Sequence, residues 1–155
     1  MYDTYSARIW QTTNNIGLIL SRLHDNKIIL PPQPENVDGE IWGNGTKSLW
    51  IESIFLRLPI MPIFVIEYPN AAWKVVAGWQ EMNTLKDYCL SQSFALGKME
   101  FFSEADGLKF SELPRGLERR ILETSINIVI IESVTPQNVT NSLINRLFTH
   151  HRFIV

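Results

Sequence analysis

The residues best suited to bind a ligand follow a predicted strand, where the chain turns into a predicted helix. Trp79 and Gln80 come directly after Gly78. A tryptophan ring can stack on a nucleobase while an amide hydrogen-bonds to it, and this contact needs little net charge. The alternative, equally open from the sequence, is that Trp79 is a core or interface aromatic residue.

The glycine itself allows two interpretations. Gly78 could let backbone N–H groups approach a phosphate at the helix N-terminus, where the helix dipole also favours an anion. Glu81 would lie in the first helical turn, where its charge suits the dipole but repels a bound anion. We therefore interpret Gly78 as a glycine that makes the turn, with phosphate binding as the alternative.

The other titratable side chains indicate no nucleophile and no metal site. No Ser-His-Asp or Cys-His pairing, phosphate-binding loop or zinc pattern can be assembled from the three histidines and the single Cys89. The string His150-His151-Arg152 predicts a disordered or loosely packed tail, with a basic tail that contacts phosphate or a metal as the alternative. One predicted helix carries Arg115, Arg119 and Arg120 among Glu112, Glu118 and Glu123. Such a mixture usually indicates a solvated, salt-bridged face.

Composition and charge restrict the class of protein. The chain has 155 residues, 45% of them hydrophobic, and a formal net charge of −2, so it predicts one globular domain and disfavours binding to DNA mainly by phosphate neutralisation. A local basic patch is still compatible with that charge. A lone cysteine, with no signal-like segment and no long apolar run, predicts a reducing, cytoplasmic setting and no membrane span.

Hydrophobic periodicity predicts a mixed order of elements. Helices are predicted over 13–26, 47–58, 79–91, 114–124 and 136–148, and strands over 27–30, 63–68, 73–78 and 126–133. Pro69 to Ala72 suits a hairpin loop, and 33–46 reads as a long polar loop. Residues 93–112 predict short strands or irregular structure around 99–102 and 108–110. The fold class is therefore α+β, with a small mixed sheet, a hairpin and about five helices.

Several short strings resemble the N-terminal domain of GmrSD-type restriction proteins, which is a ParB/sulfiredoxin-like domain. The strings are LPPQPENVDGEIW, KSLWIESIFLRLPIMPIFVIEY, AGWQE and LINRLFT, and the resemblance spans about 16–149. The family typically has Pro-x-x-Gln-Arg followed by a Trp, then Asp-Gly-Gln-Gln-Arg after the hairpin, and Phe-x-Arg-Leu-Asn near the end.

The resemblance implies a scaffold whose charged signature has been lost. Pro34 stands in place of the first arginine, and Ala77 and Glu81 in place of the signature's aspartate and arginine. A carboxylate for metal or proton transfer and a guanidinium for phosphate contact are thereby missing. The family positions that survive are Gln33, Trp42, Gly78, Gln80 and Arg146, while Trp79 stands in place of the signature's first glutamine. These six residues are the candidate ligand site.

The resemblance favours a catalytically degenerate ParB-like module that binds a protein partner, a further copy of itself or DNA, in a setting related to phage defence, with no cofactor. One alternative is an active hydrolase or nuclease that uses a nucleoside triphosphate with Mg²⁺ and substitute carboxylates, for which the candidates are Glu35, Asp38, Glu40 and Glu81. The other is a structural subunit of a larger assembly, for which the aromatic content and near-neutral charge are suited.

Overall fold

The structure is a computed structural model that describes residues 6–31 and 41–154, with side chains as far as Leu147. Its strands are Ile9–Asn15 (β1), Ile28–Ile29 (β2), Ile63–Glu67 (β3), Trp73–Ala77 (β4) and Ser125–Glu132 (β5). Its α-helices are Ile16–His24 (α1), Asn44–Phe55 (α2), Trp79–Leu85 (α3), Arg115–Glu123 (α4) and Gln137–Ile154 (α5). The predicted α+β class, with its hairpin and helices, is confirmed.

The five strands form one mixed sheet in the order β1-β5-β3-β4-β2. β3 and β4 are the antiparallel hairpin, β5 runs parallel to β3, and β2 runs parallel to β4. β1 pairs antiparallel with β5 along its whole length. Because β5 is bonded on both sides, it connects β1 to the rest of the sheet.

The main core lies between one face of the sheet and helices α1 to α4. Alternate residues of β5, Ile126, Ile128 and Ile130, belong to this core together with residues of all four helices. Val129 and Ile131 are also buried, and strand alternation places them on the opposite face. Burial on both faces explains the continuous Ile/Val run of β5.

The first strand was not predicted from the sequence. The helix predicted over 13–26 begins later, because Thr13 and Asn14 lie in β1. Its N-cap is Asn15, whose Oδ1 accepts from Leu18 N–H at 2.8 Å. β1 is an edge strand with mostly exposed side chains, so it has no alternating hydrophobic pattern. Its hydrogen bonds to β5 hold it in the sheet.

Residues 93–112 contain no strand, so the irregular alternative holds there. The segment has 3₁₀ turns at Ser103–Ala105 and Phe110–Glu112. Ahead of it, the predicted third helix changes after Leu85 into a π-helical turn, Lys86–Leu90. This turn buries Tyr88, whose hydroxyl donates to the Leu108 carbonyl at 3.1 Å. The irregular segment is thus fixed to the core by side chains of neighbouring elements.

Candidate functional site

The junction between β4 and α3 brings together most of the described residues of the predicted ligand site. Gly78 is the N-cap of α3 with φ of 96°, a left-handed value that favours glycine. A Cβ atom added there would lie 2.3 Å from Ile63 Cδ1, which is too close without movement. Gly78 therefore makes the turn and also lets the junction pack on the core.

Trp79 is a core residue. Its side chain belongs to the hydrophobic core, with 8% of the residue exposed, and its Nε1–H donates to the Pro31 carbonyl at 2.6 Å. A ring enclosed on this scale offers little face for stacking on a base. Trp79 was interpreted either as a base-stacking residue or as a core or interface aromatic residue, and the structure places it in the core.

Gln80 links the start of α3 to the chain before α2. Its Oε1 accepts from Trp42 N–H at 3.2 Å, and its carbonyl accepts from Thr84 Oγ1–H at 2.8 Å. Pro31 and Trp42 precede and follow residues 32–40 in the sequence. Both bond to side chains in the first turn of α3, Pro31 to Trp79 and Trp42 to Gln80. Four predicted ligand residues, Trp42, Gly78, Trp79 and Gln80, therefore lie at one place.

The remaining predicted residues are elsewhere or outside the described residues. Glu81 is half-buried in the first turn of α3. Arg146 lies on α5, is exposed, and donates from Nε to Ser142 Oγ at 3.2 Å. Gln33, Glu35, Asp38 and Glu40 lie outside the residues that the structure describes, as does Pro34. The structure therefore does not locate the substitute carboxylates of the first polar loop.

A buried carboxylate that sequence reasoning missed stands on α2. Glu52 is 2% exposed and accepts three backbone N–H groups, from Glu100 at 3.0 Å, Phe101 at 2.9 Å and Phe102 at 3.0 Å. Burial acts to raise the pKa of the Glu52 carboxyl, but the three hydrogen bonds outweigh it and hold the pKa below its ordinary value of 4.5. Glu52 is thus an ionised anchor for the irregular segment.

A second partly buried charge pair joins α2 to the π-helical turn. Lys47 Nζ lies 2.7 Å from Asp87 Oδ2, with 11% of the lysine side chain and 26% of the aspartate side chain exposed. The lysine nitrogen also lies 5.5 Å from the centre of the Phe94 ring. Because each charge has its partner within the fold, this pair is structural.

An open groove of about 430 Å³ lies where the end of α2 faces α4. Its lining residues are Ile54, Arg57, Leu58, Gly116, Arg119, Arg120, Glu123 and Thr124. Arg120 is half-buried, and its Nη1–H donates to the Phe55 carbonyl at 2.7 Å. Its guanidinium also lies 5.8 Å from the centre of the Phe102 ring.

The predicted salt-bridged face of α4 is not formed. Within residues 6–31 and 41–147, the ion pairs are His24 with Asp25 and Lys47 with Asp87, and neither involves α4. Glu112 instead accepts from the Lys109 N–H at 2.9 Å. The ion pairs were wrongly predicted because Arg119 and Arg120 face the groove, and Arg120 bonds to a backbone carbonyl of α2. The solvated part of the prediction holds, since Arg115, Arg119 and Glu123 are exposed.

No family model matches this chain, and neither the curated proteins nor the solved structures contain a match. The likeness to the GmrSD-type domain therefore rests on the quoted strings alone.

The described residues offer few groups for covalent or metal chemistry. Among them, no cluster of three or more His, Cys, Asp or Glu residues could hold a metal ion. Burial raises the pKa of the Cys89 thiol to about 12, so the sulfur is protonated near neutral pH and a poor nucleophile. None of the helices in the described ranges has the length and apolar character needed to cross a membrane.

Proposed function

We propose that this chain is a ParB-like module that acts by binding and has no hydrolytic activity of its own. The observation that supports this most is that the residues of the β4–α3 junction are engaged in contacts within the fold. Ala77 is buried, Gly78 packs against Ile63, and the polar groups of Trp79 and Gln80 bond to Pro31 and Trp42. Ala77, where the resemblance expects a catalytic aspartate, is therefore a core residue, and the signature positions that follow it serve the fold.

A protein partner is the ligand that the described surface of α2 favours. Ile51, Ile54 and Phe55 of this helix are buried in the core, while Leu49 and Leu56 are 51% and 37% exposed. An amphipathic helix on the surface of a lone domain usually turns polar residues outward. An apolar outer face fits contact with another protein, either a different chain or a further copy of this one. The resemblance adds a link to phage defence to this proposal, and the lone cysteine adds a reducing, cytoplasmic setting.

Nucleotide turnover is the test of the missing activity. We expect the purified chain with ATP or GTP and Mg²⁺ to release phosphate no faster than the buffer, because no signature carboxylate or guanidinium is present to act on it. Phosphate release would be followed over hours at high protein concentration. Turnover lost in Glu81→Gln or Glu35→Gln, and kept in the matched surface variant Glu104→Gln, would establish the hydrolase instead.

Salt dependence separates the two classes of binding partner. A complex with a protein through the outer face of α2 should persist at high salt and weaken in Leu49→Ser/Leu56→Ser, because the contact is apolar. Sedimentation at low and high salt would measure this in the chain alone and with cell extract fractions. A complex that instead requires DNA and loses affinity steeply as salt rises would support the DNA-binding alternative.

A further inference from the structure

The groove between α2 and α4 is rich in guanidinium groups that form no ion pair with any residue the structure describes. Three arginines and one glutamate line it, which gives the lining a formal charge of +2 in a chain whose net charge is −2. Arg57 and Arg119 are exposed, and in the part of the chain that the structure describes neither makes an ion pair. Positive charge is thus concentrated at one concave place.

The guanidinium group of Arg120 is held in place at the groove before any ligand binds. Its Nη1–H bond to the Phe55 carbonyl, at 2.7 Å, and its position beside the Phe102 ring hold the guanidinium in place. A guanidinium has five N–H donors, so one bond to a carbonyl leaves others for a ligand. A donor held before a ligand arrives loses little side-chain freedom on binding.

Arg57 stands where a glycine would normally end the helix. Its φ is 60°, its N–H donates to the Ile54 carbonyl, and Leu58 N–H donates to the Ser53 carbonyl, each at 3.0 Å. This is the Schellman ending of a helix, whose left-handed residue is usually glycine because a Cβ is unfavourable there. An arginine at this position strains the backbone. The side chain of Arg57 lines the groove.

We propose that this groove binds a small organic phosphate, with the phosphate held by Arg57, Arg119 and Arg120. Planar guanidinium groups match phosphate oxygens in charge and geometry, and a phosphate monoester carries about −1.5 to −2 charge near neutral pH, which complements the lining. Leu58 is 51% exposed at the groove and provides an apolar wall for the organic part.

The size of the groove favours a small molecule over a nucleic-acid strand. Its volume of about 430 Å³ falls within the ~300 to 1,000 Å³ usual for small-molecule sites. A strand would need a longer basic track, and the chain has 14 basic against 16 acidic residues. The inference does not depend on the proposed function, because the lining of the groove includes neither the residues of the β4–α3 junction nor Leu49 and Leu56.

Calorimetric titration with adenosine monophosphate, inorganic phosphate and adenosine tests the proposal on the whole chain. We expect adenosine monophosphate to bind more tightly than phosphate, and adenosine alone not to bind measurably. In Arg57→Gln/Arg119→Gln the affinity for adenosine monophosphate should fall by about tenfold or more, since each charge-assisted hydrogen bond is worth at least that factor. Both residues are exposed, so the double variant should fold normally.

Two controls make the result specific to the groove. Arg115→Gln removes the same charge from the same helix at a residue outside the lining, and should bind like the wild type. Arg57→Gly should raise the unfolding temperature, because glycine suits its φ of 60°, and still weaken binding. A stabilised variant that has lost affinity excludes misfolding as the cause.

Three outcomes would overturn the proposal. One is no heat and no stabilisation with adenosine monophosphate or phosphate at millimolar concentration. Another is binding that Arg57→Gln/Arg119→Gln leaves unchanged while Gln80→Ala abolishes it, which would place the site at the β4–α3 junction. The third is tight binding of a DNA duplex that Arg57→Gln/Arg119→Gln weakens, with no binding of adenosine monophosphate, which would make the groove part of a nucleic-acid surface.

Discussion

Replacing Glu52 with alanine is expected to lower the free energy of unfolding by about 3 to 5 kcal/mol. The change removes the acceptor of three backbone N–H groups, from Glu100, Phe101 and Phe102, at distances of 2.9 to 3.0 Å. Hydrogen bonds to a charged group contribute about 1.5 to 3 kcal/mol each, and water can replace only part of them beside a residue that is 2% exposed. Chemical denaturation monitored by tryptophan fluorescence would measure the loss.

Glu100→Ala is the matched control for this prediction. It removes a carboxylate from the same segment, but the side chain is exposed and the backbone N–H that bonds to Glu52 stays in place. Its effect should stay within about 0.5 kcal/mol, as for most surface changes. If Glu52→Ala were as mild as the control, the carboxylate would not anchor this segment.

Acid should remove the same contribution in the wild type. Because the pKa of Glu52 is lower in the folded state than the ordinary 4.5, ionisation of Glu52 stabilises the fold fully above pH 4.5. That contribution declines as the pH falls below 4.5 and is gone once the pH has passed through the folded-state pKa. The stability difference between the wild type and Glu52→Gln should therefore be constant from pH 6 to pH 8 and shrink below 4.5. A difference that grows in acid would show that the sign of the shift is wrong.

Replacing Gly78 with alanine should destabilise the fold by about 3 kcal/mol. The added Cβ would lie 2.3 Å from Ile63 Cδ1, and the residue has φ of 96°. Left-handed backbone costs a non-glycine residue about 1 to 2 kcal/mol, and forcing an extra carbon into a packed core costs about 1 to 3 kcal/mol. Ile63 is 1% exposed, so its side chain has little space into which it can move.

A double-mutant cycle separates the two causes. Ile63→Val removes Cδ1, the atom in conflict, and alone should cost about 0.5 to 1.5 kcal/mol. Gly78→Ala/Ile63→Val should be more stable than the sum of the single effects predicts, by about 1 kcal/mol, because the clash is gone and only the backbone strain remains. Strict additivity would mean that Ile63 is not what requires a glycine at this position.

The sequence predicted the elements that bury a regular apolar pattern. Helices α1 and α4, the β3–β4 hairpin and strand β5 have this pattern, and each was found within a few residues of its predicted bounds. Helix α2 was also found near its predicted bounds, although half of its buried residues are polar. Such elements are readable because burial imposes the period of the helix or strand on the side chains. β1 escaped prediction because it is exposed and owes its conformation to hydrogen bonds with β5.

The two charged features of greatest interest could not be read from the chain. Glu52 resembles any polar residue of an amphipathic helix until the fold brings to it a segment 48 to 50 residues away. Arg119 and Arg120 alternate with acids in sequence, which suggested ion pairs on the helix surface. Arg119 and Arg120 come near Arg57 because α4 packs beside α2, which the sequence does not reveal. The predicted ligand residues at the β4–α3 junction do converge, but mainly as parts of the fold.

The position of β5 in the sheet also determines when during synthesis the domain can become complete. In β5, Ile131 pairs with Ile9 of β1, and Ile128 pairs with Ile63 of β3. The contacts that unite the sheet therefore join distant parts of the chain. Until Ser125–Glu132 has left the ribosome, β1 has no partner strand, and one edge of β3 keeps its backbone N–H and C=O groups unpaired. Pairings this remote in sequence slow folding and expose nascent chains to aggregation, so expression of this protein should respond to chaperone levels.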